Sequence, residues 1–282
     1  MVEPVAVLTD ATSADFWFPK WHDYYGNIFG GRNLYVLTYE GKRSAFNRFE
    51  LGGVWDVPQF YTESERVRIV AALIETLLVT HKVVVRCDVD EFLVPDLRLY
   101  RSLRDYIDRL DRPYVTAFGI DIFEGRADQP IDMTRPIVHV QRSCGVVNSA
   151  LHKTAITQVP LRWAPGFHAA NVRPEFNSLY MLHTKFADVQ SRGAWFQFMK
   201  SQFPLGSREY DYFSFTGEQF RQHKLWLVQK VCIEDGWSAI SGSKSTADFL
   251  ASVTIAEDGI QQGQFTTSES SFILPEEFRG LI

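Results

Sequence analysis

Cysteine is scarce in this chain: Cys87, Cys144 and Cys232 are odd in number, far apart and without a C-x-x-C pair. A disulfide scaffold and a thiolate zinc site are therefore not expected, which fits a reducing, cytoplasmic setting. No uninterrupted apolar run approaches the ~20 residues that cross a bilayer. The start, Met1-Val2-Glu3-Pro4-Val5, lacks the basic segment and long apolar stretch of a signal peptide. Peripheral association with a membrane surface stays open. Excess positive charge is missing too, since 29 Lys and Arg against 34 Asp and Glu leave a net charge of −5, and nucleic acid is not an expected partner. Repeats and a clear linker are also absent. What remains is an ordinary globular composition, 45% hydrophobic and 22% charged over 282 residues, enough for one large α/β domain with a sizeable core.

The strongest local signal is Val83-Val84-Val85-Arg86-Cys87-Asp88-Val89-Asp90-Glu91-Phe92-Leu93-Val94-Pro95. An apolar, β-branched run reads as a buried strand, and it stops at three acids within four positions. Carboxylates at i and i+2 point to opposite sides of a regular strand, but a turn between them lets both face one hard cation. Mg²⁺ and Mn²⁺ prefer oxygen ligands, and Mg²⁺ is commonly held by one or two carboxylates plus substrate phosphates. A nucleoside diphosphate is the natural partner of such a pair. The competing reading is a set of solvated acids capping the next helix.

Around this segment the pattern alternates. Val5 to Thr9 reads as a strand, Ala14 to Tyr25 as a helix, Leu34 to Thr38 as a strand and Gly41 to Pro58 as a loop. Thr62-x-x-Glu65 is a capping box that opens a helix through Val79. Strand, helix, strand implies parallel pairing with right-handed crossovers, and ligands of such sheets lie beyond the carboxyl ends of the strands. Thr9-Asp10 and Asp88-Val89-Asp90 both fall there. Farther on, Leu99 to Leu110 reads as a helix and Tyr114 to Ile120 as a strand ending at Asp121. Ile137 to Arg142, Ala150 to Thr157 and Ser178 to His183 read as strands of a mixed sheet, and Ala194 to Phe203 and Gly217 to Cys232 as helices. Residues 241–282, rich in Ser, Thr, Gly and acids, read as a loose or docking extension of a 1–240 domain.

Together Val7-Leu8-Thr9-Asp10, Phe18-Pro19-Lys20-Trp21-His22-Asp23-Tyr24-Tyr25, Asp88-Val89-Asp90-Glu91-Phe92-Leu93 and Leu182-His183 resemble the GT-A glycosyltransferases, in particular the bacterial family-2-like group with a DxDEF segment after the third strand. The resemblance spans about Val5 to Phe203. It implies a Rossmann-like mixed sheet flanked by helices and a metal-dependent, inverting transfer of a sugar, a hexosyl group by class, from a nucleotide-sugar donor. The acceptor hydroxyl would belong to a carbohydrate, a lipid-linked sugar or a small molecule. Carried over by position, Asp88 meets the donor ribose or the metal shell, and Asp90 ligates the Mn²⁺ or Mg²⁺. His183 is the later ligand with His168 as its rival, and Lys185 faces the departing diphosphate. Thr9 and Asp10 lie at the donor, although related chains carry Asn-Glu there. Asp121 is the expected base for the acceptor hydroxyl, with Glu124 and Glu91 as competitors.

Two other functions compete. A haloacid-dehalogenase-type phosphatase also places its nucleophile in a strand-end DxD, but Phe92 stands where that pattern has Thr or Val. Its later acid pair would be Glu257-Asp258, in a polar segment. A non-catalytic sugar-nucleotide or carbohydrate-binding protein of the same fold is the other, since fold alone does not carry activity.

Overall fold

The computed structural model describes residues 4–14, 16–58, 62–125, 128–188, 203–207 and 226–282, with single residues and pairs elsewhere between 193 and 222. Strands β1 (Val5–Asp10), β2 (Leu34–Tyr39), β3 (Gly53–Val57) and β4 (Val83–Arg86) lie parallel in the order β3-β2-β1-β4. Helices α1 (Trp17–Phe29) and α2 (Glu63–Leu78) make the crossovers. Every residue of β1 is buried. Its alternate side chains serve two cores: Val5 and Val7 pack with Trp17, Phe18, Trp21 and Tyr25 of α1. Ala6 and Leu8 pack with Val67, Val70, Ile74 and Leu77 of α2. A strand covered on both faces needs an unbroken apolar run, and that is how Val5 to Leu8 reads.

The second half turns the sheet mixed. After β5 (Glu91–Pro95) and the short helix α3 (Leu103–Asp108) come β6 (Tyr114–Phe123), β7 (Cys144–Asn148), β8 (Thr154–Thr157) and β9 (Phe176–Phe186). β8 joins β4 and β6 in antiparallel fashion, β7 flanks β6, and β9 runs parallel to β6 while pairing antiparallel with β5. The outer strands are β10 (Val231–Ile233), a small ribbon of β11 (Thr254–Ile255) and β12 (Gln261–Gln262), and β13 (Thr267–Ile273) between β10 and β7. Among the described residues eleven strands form this one sheet. It is the α/β, Rossmann-like mixed sheet flanked by helices that the sequence leads one to expect. No described helix is long and apolar enough to cross a membrane.

Several local expectations differ from what is found: the strand expected over Ala150 to Thr157 begins as a 3-10 turn and is extended only at Thr154–Thr157, and the helix expected over Leu99 to Leu110 is Leu103–Asp108. The Gly41 to Pro58 loop contains a 3-10 turn, Lys42–Phe46, and the edge strand β3. Gly52 is there because a Cβ would meet Arg32 O at 2.3 Å and the Tyr35 ring at 2.7 Å, so the small residue marks close packing. Ile137 to Arg142 is a tight turn, with His139 at φ 60 and a single Val138 to Arg142 bridge. The buried Arg142 guanidinium donates to the carbonyls of Ala187, Gln141 and Gln129. Asp121 lies inside β6, two residues before its end. Residues 241–282 are built into the body rather than loose, since β13 pairs with β7 and Phe272, Leu274 and Phe278 are buried. The expected helices 194–203 and 217–232 fall largely outside the described residues, and Val231–Ile233 is strand.

Candidate functional site

The capping box of α2 is present in both halves, with Glu65 N–H donating to Thr62 Oγ1 (3.2 Å) and Thr62 N–H to Glu65 Oε2 (3.0 Å). It starts the helix where Arg66, in the first turn, reaches over the carboxyl ends of β1 and β4. Arg66 donates to both oxygens of Asp10 (2.7 and 2.9 Å) and to Asp88 Oδ1 (2.7 Å). Arg86, the last residue of β4 and 3% exposed, donates to Asp10 Oδ1 (2.9 Å) and Asp88 Oδ1 (2.7 Å). Its guanidinium lies 3.5 Å from the centre of the Phe167 ring, a cation–π contact in a dry setting. Lys153, just before β8, donates to Glu91 Oε1 (2.5 Å) and Asp88 Oδ2 (3.1 Å).

Asp88 is thus enclosed by three cations. Burial opposes its charge, but Arg86, Lys153 and Arg66 outweigh burial and hold its carboxyl well below the usual range. Asp10 is lowered in the same way by Arg66 and Arg86, against its burial and the repulsion of Asp88. Asp88 was expected as a metal ligand and at the donor. Its oxygens are instead committed to guanidinium and ammonium groups, and a divalent cation among them would be repelled. Asp10, expected at the donor, also receives the Tyr39 hydroxyl (2.9 Å). Thr9 is 1% exposed and its Oγ1 has no hydrogen-bond partner.

The chain turns after Asp88, and the second acid takes a different course. Asp90 O accepts from the Thr184 backbone N–H (2.9 Å) and from Thr184 Oγ1 (3.1 Å), which ties the turn to β9. Its carboxylate Oδ2 stands 3.7 Å from His183 Nε2. On the other side of the ring, His183 Nδ1 is 2.6 Å from Asp121 Oδ1, and Asn148 Nδ2 donates to Asp121 Oδ2 (2.7 Å). Asp121 is 2% exposed. Burial would raise its carboxyl, but the hydrogen bond and charge of His183, then Asn148 and Lys185, hold it below the usual value.

Asp90 and His183 are therefore brought together from 93 residues apart in the chain, with Asp121 behind the imidazole. Among the described residues no three His, Cys, Asp or Glu side chains form a group that could hold a metal ion by themselves. The pair fits a divalent cation only as part of a set completed by substrate oxygens, which is how Mg²⁺ usually binds. Two atoms 3.7 Å apart can both lie at about 2.1 Å from one ion.

His168, the rival ligand, has Nδ1 on Ala150 O at 2.5 Å and is pulled down to about 3 by burial, then by Lys153. Its other edge folds back on Gly166, where a Cβ would meet Nε2 at 2.6 Å. Lys185 follows His183 by two residues, across an irregularity in the β6–β9 pairing, with Nζ 5.6 Å from the Phe186 ring centre. Of the competing acids, Glu91 is fully buried against Lys153, whereas Glu124, just past β6, is half-buried. A shallow cleft of ≈ 520 Å³ lies beyond β1 and β2, lined by Thr12, Ser13, Ser44, Lys42 and Arg48 among others. Sequence reasoning missed Arg66, Lys153 and Asn148. Arg86 alone carried a visible signal, as a charge inside an apolar strand.

No protein-family model matches the chain, and no curated protein matches it. Among solved structures it is similar to CMP:2-keto-3-deoxy-manno-octonic acid synthetase complexed with CTP. The identity is 11% and the TM-score 0.30, over 79% of this chain and 86% of that one. A likeness that low says nothing about what this chain binds.

Proposed function

We propose that the protein is a metal-dependent glycosyltransferase that moves a sugar from a nucleotide-sugar donor to an acceptor hydroxyl with inversion. The observation that carries this reading is the meeting of Asp90 with His183 at the rim of the sheet. The cleft beyond β1 and β2, with Lys42, Arg48 and three hydroxyl side chains, has groups that suit a phosphorylated ligand. A bound Mn²⁺ or Mg²⁺ would supply Lewis-acid stabilisation of the leaving diphosphate. Asp90 and His183 would hold that ion, and Lys185, close enough to act on Asp121, would add positive charge. Asp88 and Asp10, neutralised by Arg66, Arg86 and Lys153, hold the turn in place without ligating.

The base for the acceptor needs access to the hydroxyl it deprotonates. Asp121, with both oxygens hydrogen-bonded and 2% exposure, lacks that access, so in our reading the role falls to its competitor Glu124. A phosphatase using Asp88 as nucleophile is disfavoured by the three cations that occupy its oxygens.

The test is calorimetry of nucleoside diphosphates with Mn²⁺ and with excess chelator, followed by a donor panel read as diphosphate release with an acceptor present. Binding should be at least about tenfold tighter with Mn²⁺, and Asp90→Asn and His183→Ala should erase the difference. Equal affinity with chelator would overturn the metal reading. No release from any nucleotide sugar would overturn the transferase reading.

A further inference from the structure

We propose that Asp121 is a positioning residue that fixes His183 as the Nδ1–H tautomer and so keeps the Nε2 lone pair turned toward Asp90. The inference rests on the reading of Asp90 and His183 as a cation-binding pair, and it assigns to Asp121 a task different from proton abstraction.

The sheet puts the two side chains together. Asp121 and His183 are direct partners in the parallel pairing of β6 with β9, so their Cβ atoms leave the same face of the sheet. Asn148 completes the arrangement from the antiparallel neighbour β7, where Val146 is opposite Asp121 and Asn148 lies two residues on, again on that face. The orientation of the Asn148 amide is settled by its other end, since Oδ1 accepts the Ala150 backbone N–H (3.1 Å). Nδ2 is then the end that donates to Asp121 Oδ2 (2.7 Å). With that oxygen occupied, Oδ1 receives the remaining donor, the ring N–H of His183, at 2.6 Å.

A carboxylate accepts and does not donate, and Asp121 faces two groups in this way, the Asn148 amide N–H on Oδ2 and the imidazole edge on Oδ1. The proton shared at 2.6 Å therefore belongs to Nδ1 of the imidazole. The nitrogen turned toward Asp90 is then Nε2, and the 3.7 Å gap to Asp90 Oδ2 is too long for a hydrogen bond between them. A carboxylate behind a ligating histidine fixes the ring and raises its basicity, and losing it typically lowers metal affinity 10–100-fold.

The experiment is two-part. Long-range ¹⁵N NMR of the metal-free protein, with His183 assigned by the signal missing in His183→Ala, should show a protonated Nδ1 and a bare Nε2. In Asp121→Asn the side chain can donate as well as accept, so the Nδ1–H form should lose its dominance. Mn²⁺ affinity by calorimetry, measured with a nucleoside diphosphate present, should fall 10–100-fold. A wild-type ring protonated on Nε2 overturns the proposal whether or not the variant folds. So does an Asp121→Asn protein that keeps both tautomer and affinity. A wild-type Nδ1–H ring in a protein that binds no Mn²⁺ supports the lock and overturns the metal reading alone, so the two failures are told apart.

Discussion

At the scale of single residues, Asp88 and Asp90 look equivalent in the sequence and are opposites in the structure. The difference is made by Arg86, Lys153 and Arg66 around Asp88, and of these Lys153 sits between Glu91 and Asp88 and is itself almost fully buried. Burial works against its charge, but Glu91 and Asp88 more than offset that and raise its ammonium above the usual range. Lys153→Met should leave Glu91, at 0% exposure, as an unpaired anion in the interior. Breaking one partner of a buried pair costs roughly 3–5 kcal/mol, and urea unfolding would read it. A loss below about 1 kcal/mol would mean the network contributes little to stability. The sequence offered little warning of this network. Arg66 and Lys153 lie 22 and 65 residues from Asp88, and on a single chain each looks like an ordinary surface cation. The nearness of Asp90 and His183 was legible only in part, because Asp90 follows the buried strand β4 while His183, expected at a strand end, lies inside β9, three residues before its end. Which carboxylate lay behind the imidazole depended on the register of β6 against β9, which no local pattern encodes.

At the scale of elements, the first half of the fold was legible because β1, α1, β2, α2 and β4 each follow a period that burial on known faces demands. The edge strand β3 was hidden by the glycines that its close packing against Tyr35 requires. Residues 241–282 were hidden by composition. The strand β13 runs Thr-Ser-Glu-Ser-Ser-Phe-Ile, a polar stretch that reads as tail yet supplies the ladder partner of β7. Its neighbours reinforce the docking: Ser149 N–H donates to Thr266 O (2.9 Å), Thr266 N–H to Ser149 Oγ (2.7 Å), and Trp237 Nε1 to Glu277 Oε2 (2.9 Å). A chain ending at residue 240 should then expose β7 as a bare edge and leave the pockets of Phe272, Leu274 and Phe278 empty. Loss of one such buried side chain alone costs about 2–5 kcal/mol. Such a truncation should be aggregation-prone or lack a cooperative unfolding transition by circular dichroism. A sharp transition near that of the full chain would show that residues 241–282 are dispensable for the fold.

At the scale of the whole molecule, two sets of groups set how stability responds to acid, and they act in separate windows. The carboxyls of Asp10, Asp88 and Asp121 are all lowered in the folded state. Their contribution is complete above the unfolded carboxylate value of about 3.9 and disappears as pH falls through the lower folded values. The buried histidines act earlier. His152 is 2% exposed and is brought down to about 3 by burial. Its Nδ1 accepts the Gly119 backbone N–H (3.0 Å), while Nε2 faces Thr246 Oγ1 (3.1 Å). A proton on Nδ1 would set two donors against each other. His168, also brought to about 3, is opposed by the charge of Lys153. Below about pH 6.5 the unfolded chain protonates these rings and the folded chain does not, so the unfolded state gains protons and stability falls with pH. For His152 the loss at pH 5 is roughly 2 kcal/mol, about 1.4 kcal/mol for each of the 1.5 units below 6.5. Melting temperature should be level above about pH 7, decline from pH 6.5 to 4.5, and drop more steeply below about 4. His152→Gln should be less stable at pH 7 but show a shallower decline over the middle window. A wild-type melting temperature unchanged between pH 7 and pH 5 would contradict neutral, buried rings at both positions.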